Sequence, residues 1–295
     1  MRRLIVNADD LGLTAGVNRA IVEAHTFGVV TSATLMANGA AFDDAVERAR
    51  SAPGLSVGCH VVLVDGAPLL DPGAVPSLVA NRSAKNGYFY SRLSAFATRA
   101  VFGRLDQEQL VSEIVAQVRK IQAAGVEVMH LDTHKHTHIF PSILAALIKA
   151  ARICGVPAIR NPVVPVSAIR LGQLSGKPGL WKRYGQVRML RGFAPQFRRK
   201  MSRAGLATPD GVVGVVETGS FDGSLLRRML EGLPDGTWEL VTHPGYDDAD
   251  LRSVRTRLLG SREEERRLLM SRELTEFLGA QGIPLISYRE LVPRL

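Results

Sequence analysis

Nine residues in the middle of the chain, His130 to His138, read HLDTHKHTH and hold four of its seven histidines. Neutral imidazole is the commonest protein metal ligand and titrates near neutrality. A solvated loop could carry such a run, but this one lies mid-chain between apolar stretches. Three further places carry the same chemistry: Asp9-Asp10 after RLIVNA, His60 inside GCHVVLV, and His243 before Pro244-Gly245. Two adjacent carboxylates after an apolar strand repel unless something cationic or metallic sits between them. The alternative for them is a turn leading to a helix cap near Thr14. His60 alone would read as a hydrogen-bonded core histidine.

Two imidazoles and a carboxylate form the mixed nitrogen and oxygen set that zinc and related divalent ions accept. Three protein ligands leave positions open for water and substrate. A bound divalent ion acidifies water and polarises a carbonyl. A second carboxylate can take the water's proton, and a histidine opposite can protonate the leaving group. The chain supplies one of each. Not all four histidines of the run can reach one ion. If extended, Asp132, His134, His136 and His138 share a side, because strand side chains alternate. A turn before Pro141 suits a helix start. His25 lies within a helical stretch and reads as structural.

These residues need a frame that gathers them. Short apolar runs at residues 3–8, 31–37, 55–63, 126–132, 158–162, 211–216, 237–243 and 284–288 read as strands. Helical spacing marks 17–28, 41–51, 106–125, 142–155, 224–233 and 261–282, with Gly28, Gly125, Gly155 and Gly282 as stop signals. Strands alternating with helices imply parallel strands joined by crossovers. Seven or eight of them in 295 residues fit a (β/α) barrel, complete or irregular, of mostly parallel strands. Four strand candidates end in acids or imidazoles, and in a parallel barrel those ends open on one face, where catalytic groups gather. Residues 1–295 read as one barrel domain. Residues 66–105 and 163–210, poorer in periodicity, read as excursions from it.

Hydrophobic residues are 46% of the chain and charged residues 22%, a globular profile. Two cysteines, Cys59 and Cys154, with no CxxC, argue against a disulfide framework and a thiolate zinc site. The apolar stretch after Arg2-Arg3 is too short for a secretion signal, and no run approaches a membrane span, so a cytoplasmic protein is expected. The net charge is +9, and Thr133 to Pro209 contains no acid. Its densest part, Lys182 to Lys200, interleaves cations with Trp181, Tyr184, Met189, Leu190, Phe193 and Phe197. Such a segment suits an anionic membrane surface, here the inner face of the membrane, or packing on its own domain.

The motifs VNADDLG, GCHVVLVDG, HLDTHKHTHIFP and VTHPGY, in this order, resemble the YdjC/ChbG family of carbohydrate deacetylases from Arg3 to Glu290. The resemblance implies an irregular (β/α) barrel that removes N-acetyl groups from amino sugars with a divalent ion, zinc or magnesium. Carried over by position, Asp10, His60 and His134 would bind the metal. Asp9 would be the general base and His243 the general acid. His138 would line the substrate pocket, and Arg160 in AIRNP would hold the base ionised. The family often has Asp-Ser-His where this chain has Asp-Thr-His, and Phe at Leu11; neither change removes a ligand. The chain is also similar to the branch associated with hopanoid lipid biosynthesis, through HVVLVDGAPLLDP and the basic segment before RAGLATPDGVVG. That branch implies an N-acetylglucosamine attached to a hopanoid lipid.

Two other function classes compete. A metal-dependent phosphoesterase would need a Gly-rich phosphate cradle or a second carboxylate-rich metal set, and neither is visible. A basic nucleic-acid-binding protein would need a recognisable reading motif, and no helix-turn-helix, zinc finger or RNP signature occurs. The partners expected are therefore an N-acetylated sugar or glycolipid, a peripheral membrane contact, no nucleic acid, and a second copy of the chain on base rates.

Overall fold

The computed structural model describes residues 1–80, 87–165 and 194–292. Among these residues seven strands form one sheet, all parallel: β1 Arg2–Leu11, β2 Ser32–Leu35, β3 Ser56–Val61, β4 His130–Thr133, β5 Ala158–Ile159, β6 Gly211–Val213 and β7 Gly236–Thr242. Their order is β5-β4-β3-β2-β1-β7-β6. The sheet curls into a half-barrel. Isolated backbone bonds bridge the opening between its ends: Ala207 donates to the Pro157 carbonyl (2.9 Å), and Val212 to that of Val163 (2.8 Å).

The helices, in chain order, are α1 Ala15–Thr26, α2 Phe42–Ser51, α3 Leu93–Val101, α4 Gln107–Ala123, α5 Pro141–Cys154, α6 Ala194–Ala204, α7 Gly223–Glu231, α8 Ala249–Ser253, α9 Gly260–Leu269, α10 Arg272–Ala280 and α11 Tyr288–Leu291. Local chemistry sets their ends. Thr14 caps α1 by accepting from Val17 N–H, Asp106 caps α4, and Pro141 opens α5 at its first position. Gly155 closes α5 in the left-handed region, at φ 68°. Gly28 is small for a different reason: a Cβ there would lie 2.3 Å from the Leu269 carbonyl.

Strand alternation sorts the side chains. Leu4, Val6 and Ala8 of β1, Val57, Cys59 and Val61 of β3, Leu131 of β4 and Leu240 of β7 join the apolar cluster shared with the helices. The alternate positions, including Asn7, Asp9, His60, Asp132 and Glu239, are buried and polar, and they fill the concave face. The fold therefore stores its apolar core outside the sheet and its chemistry inside.

Several elements differ from the sequence reading. Residues 284–288 make only a bridge from Leu285 to Leu4, and Ser287 then caps α11, so the eighth strand candidate is not a strand. Residues 261–282 form two helices, because Ser271 caps a second one. Two helices, α3 and α6, lie in the stretches read as poor in periodicity. Most of the basic aromatic segment, Trp181 to Phe193, lies outside the described residues. Phe197 is inside them. It is 5% exposed and belongs with Met201 to the main apolar cluster, so of the two readings of this segment Phe197 takes packing on its own domain. Among the described residues no helix is long and apolar enough to cross a membrane.

Candidate metal centre and active site

Asp9 and Asp10 are neighbours in sequence, so a regular strand would send them to opposite faces. The register of β1 against β2 shifts between Ala8 and Leu11, and Asp10 sits at φ 69°. This irregularity turns the Asp10 side chain into the same site as Asp9, at the cost of a left-handed non-glycine residue. Each carboxylate has its own arginine. Arg160 Nη2 and Nη1 donate to Asp9 Oδ1 and Oδ2 at 2.6 and 2.9 Å. Arg262 donates to Asp10 Oδ2 at 2.5 Å. Burial opposes both charges, but Arg160 beside Asp9 and Arg262 beside Asp10 hold both carboxyls well below the usual carboxylate range. Thr14 does cap a helix, and the acids face the site as well.

On β3, His60 faces inward beside Asp132 of β4, its partner in register. Its Nδ1 lies 2.8 Å from Asp132 Oδ1 and 3.2 Å from Thr34 Oγ1. Asp132 thereby holds the Nδ1–H, so that in the neutral ring Nε2 is the nitrogen left bare. Burial opposes a charge on His60, yet Asp132, Asp9 and Asp10 push its pKa up to about 9. β4 ends at Thr133, and a 3-10 turn over His134–Ile139 follows, with Lys135 and His136 both left-handed. The run is therefore not extended. The turn directs His134 Nδ1 to 3.3 Å from His60 Nε2 and 3.4 Å from Asp10 Oδ1, while His60 Nε2 is 3.5 Å from Asp10 Oδ1.

Those three atoms form a nearly equilateral triangle. Asp10 Oδ1 is buried and has no hydrogen-bond partner. A tetrahedral ion with bonds of about 2.1 Å needs ligand atoms roughly 3.4 Å apart. The residues present fit a divalent ion on its donor set, its spacing and its orphaned oxygen. A second cluster, Asp9, His60 and Asp132, also has three donor atoms close together. There the Arg160 guanidinium already bonds both carboxylates, so the cation of that cluster is an arginine.

His243, just past the end of β7, completes the arrangement. Its Nε2 is 3.9 Å from Asp9 Oδ2, the oxygen that accepts from Arg160 Nη1. Burial depresses its pKa to about 4, against the pull of Asp9 and Asp10. The structure thus gathers Asp9, Asp10, His60, His134, Arg160 and His243 at the C-terminal ends of the strands. His138 stands apart from the triad. It is fully buried, with Nδ1 2.7 Å from Thr133 Oγ1, and it borders a small pocket with Ile139, Leu144 and Phe197. His130 stacks on Tyr288 at 3.5 Å beneath the site, and burial keeps it neutral. His25 bonds the Val30 carbonyl, outside the site.

The matches to known proteins cover the same residues. The profile described as YdjC-like protein matches residues 3–280. The chain belongs to the YdjC-like family. Among relatives of this YdjC-like chain, a protein of Brevibacillus brevis named carbohydrate deacetylase is 33% identical over 98% of this chain and 99% of its own length. Carbohydrate deacetylase 1 of Listeria innocua is 32% identical over 98% and 100%. A crystal structure from Enterococcus faecalis, of a protein named for cellobiose-phosphate cleavage, superposes with a TM-score of 0.75 at 27% identity, covering 99% of each chain.

Sequence reading gave no role to four groups that hold this YdjC-like site. Asp132 fixes His60, Arg262 holds Asp10, Glu239 bonds Arg160 Nε at 2.9 Å, and Glu265 accepts from the His243 backbone N–H at 2.6 Å. Two signals were available. Glu239 interrupts the apolar strand TWELVT. Leu258, Arg262, Glu265 and Leu269 recur at core spacing, and all four are buried.

Proposed function

We propose that the protein is a metal-dependent N-deacetylase that hydrolyses the acetamide C–N bond of an N-acetylated amino sugar. The observation that carries this reading is the three-atom ligand triangle of Asp10, His60 and His134, flanked by a carboxylate that is not a ligand, Asp9, and by His243. The names of the relatives supply the substrate class, a carbohydrate bearing an acetyl group.

Asp10 Oδ1, His60 Nε2 and His134 Nδ1 would hold a zinc or magnesium ion, which when bound acidifies water and polarises the acetyl carbonyl. Asp9 is the general base. Arg160 keeps it ionised at any working pH, and its Oδ2 faces the site with room to accept a proton. His243 is the general acid, and its Nε2 gives a proton to the nitrogen of the departing amine. Arg160 is a positioning residue, because its guanidinium bonds Asp9 and Glu239 at once. His138, held by Thr133, shapes the wall beyond His134 and supports the substrate from there.

A lipid-linked N-acetylglucosamine, as in hopanoid biosynthesis, is the finer form of the substrate. The basic segment would rest on an anionic membrane, each cation near the surface contributing about 1 kcal/mol. The test is acetate release from a panel of N-acetylglucosaminyl compounds, free and lipid-linked, with and without chelator. The reading requires chelator-sensitive acetate release from at least one compound. No release from any of them, with metal bound, would overturn it.

A further inference from the structure

Helix α9, GSREEERRLL, looks like a solvated charged helix, and most of its charges behave that way. Arg267 pairs with Glu263 and Glu264 at 3.1 and 2.6 Å on the outer face. Two charged residues turn inward instead. Arg262 and Glu265, three apart and so on one face, are 1% and 2% exposed. Arg262 reaches Asp10, as described above. Its backbone carbonyl also accepts from Gly245 N–H at 3.2 Å, which seats the His-Pro-Gly turn on the helix. Glu265 reaches His243.

We propose that Glu265 is the positioning residue of His243, orienting the imidazole so that Nε2 donates to the leaving amine. The proposal rests on the deacetylase reading above. Glu265 Oε2 accepts from the His243 backbone N–H at 2.6 Å and lies 4.0 Å from the ring Nδ1, which is buried and has no hydrogen-bond partner. The ring therefore lies between two carboxylates, with Nε2 toward Asp9 and Nδ1 toward Glu265. The other charged groups acting on His243 are Asp10, Arg262 and His60.

A histidine that donates from Nε2 carries a proton on Nδ1 as well at that moment, and Nδ1–H needs an acceptor. Glu265 supplies it once the gap closes by about 1 Å, the kind of tightening that catalytic contacts undergo when substrate binds. In the step itself the Nε2–H bond breaks and an N–H bond forms on the departing amine. The electron pair of the broken bond stays on Nε2, and Glu265 neither gains nor loses a proton. Burial raises Glu265 to about 7 and lowers His243 to about 4.

The test uses the metal-loaded enzyme and Glu265→Gln, which keeps the shape and an acceptor for the backbone N–H. With the best compound of the panel, kcat falls about 100-fold while KM and metal content stay near the wild-type values. In parallel, 15N NMR at pH 8 finds neutral His243 of the wild type as the Nδ1–H tautomer, and finds that preference lost in Glu265→Gln. A purely structural Glu265 would leave the tautomer unchanged. The proposal is overturned if kcat stays within twofold of wild type, or if wild-type His243 carries its proton on Nε2 with Nδ1 bare. If no compound releases acetate, the functional reading fails alone, and the tautomer result still decides the role of Glu265.

Discussion

Replacing Arg160 with Met tests how the centre tolerates its own charge. The guanidinium is fully buried and pairs with three carboxylates, Asp9, Asp132 and Glu239. Removing it takes that buried group from a formal charge of −2 to −3. Breaking a buried ion pair by removing one partner costs about 3–5 kcal/mol. The protein can respond by protonating a carboxyl, and raising one pKa from about 4 to about 7 costs roughly 4 kcal/mol, a similar amount. Glu239 protonates first, because burial already raises its pKa despite Arg160. A loss of about 4 kcal/mol lowers Tm by roughly 6 °C in a chain of this size.

The sign of the pH dependence is diagnostic. In Arg160→Met a folded-state carboxyl pKa lies above its unfolded value. The stability it lends is full below the unfolded pKa of about 4.5 and is lost as pH rises through the folded value. The deficit against wild type therefore widens between pH 5 and pH 8, by up to about 1.4 kcal/mol per unit. Wild-type Asp9 behaves oppositely, since its depressed pKa gives stability above about 3.8 that is lost only on acidification. Urea denaturation at pH 5, 6, 7 and 8 measures the widening deficit, and melts at pH 4 and 3 measure the Asp9 contribution. A deficit under about 1 kcal/mol, or one that shrinks with pH, would refute the reasoning.

Three further outcomes follow from the same geometry. Asp9→Asn should retain metal, because Asp9 is outside the ligand triangle, but lose about 10²–10⁴ in kcat; near wild-type turnover would sink its assignment as base. Metal-free His60, pushed up to about 9 by Asp132 and its neighbours despite burial, is protonated at pH 7.5 and must deprotonate to bind an ion. Calorimetric metal titration in buffers of different ionisation enthalpy should then report about one proton released. Phe197→Ala should cost about 3–5 kcal/mol in urea melts, because the ring is buried in the main cluster. A loss below about 1 kcal/mol would return it to the surface.

Strand ends were legible in the sequence because β1, β3, β4 and β7 each run from apolar residues into an acid or an imidazole. Parallel topology then put those ends together. What stayed hidden depends on contacts made across the fold. The left-handed turn at Asp10 follows from no local pattern, since few non-glycine residues adopt it even though aspartate does so more often than most. Arg262 and Glu265 sit in a run of charges whose outward members look the same on paper. Only the helix face distinguishes them. The histidine run read as extended because alternation is the default. The left-handed pair Lys135-His136 breaks that alternation, so His134 reaches the triangle while His138 is tied to Thr133. The eighth strand candidate failed because Ser287 and Glu290 form a capping box that starts a helix there.

The central claim is that Asp10, His60 and His134 hold one divalent ion on which acetyl hydrolysis depends. It is tested most directly by restoring metal to the stripped enzyme in measured steps while following acetate release from the best substrate of the panel. The account predicts no activity without metal and a linear rise that breaks at one equivalent per chain. It also predicts no recovery in His134→Ala at that loading. Full activity in the stripped enzyme, or a normal one-equivalent break in His134→Ala, would contradict it.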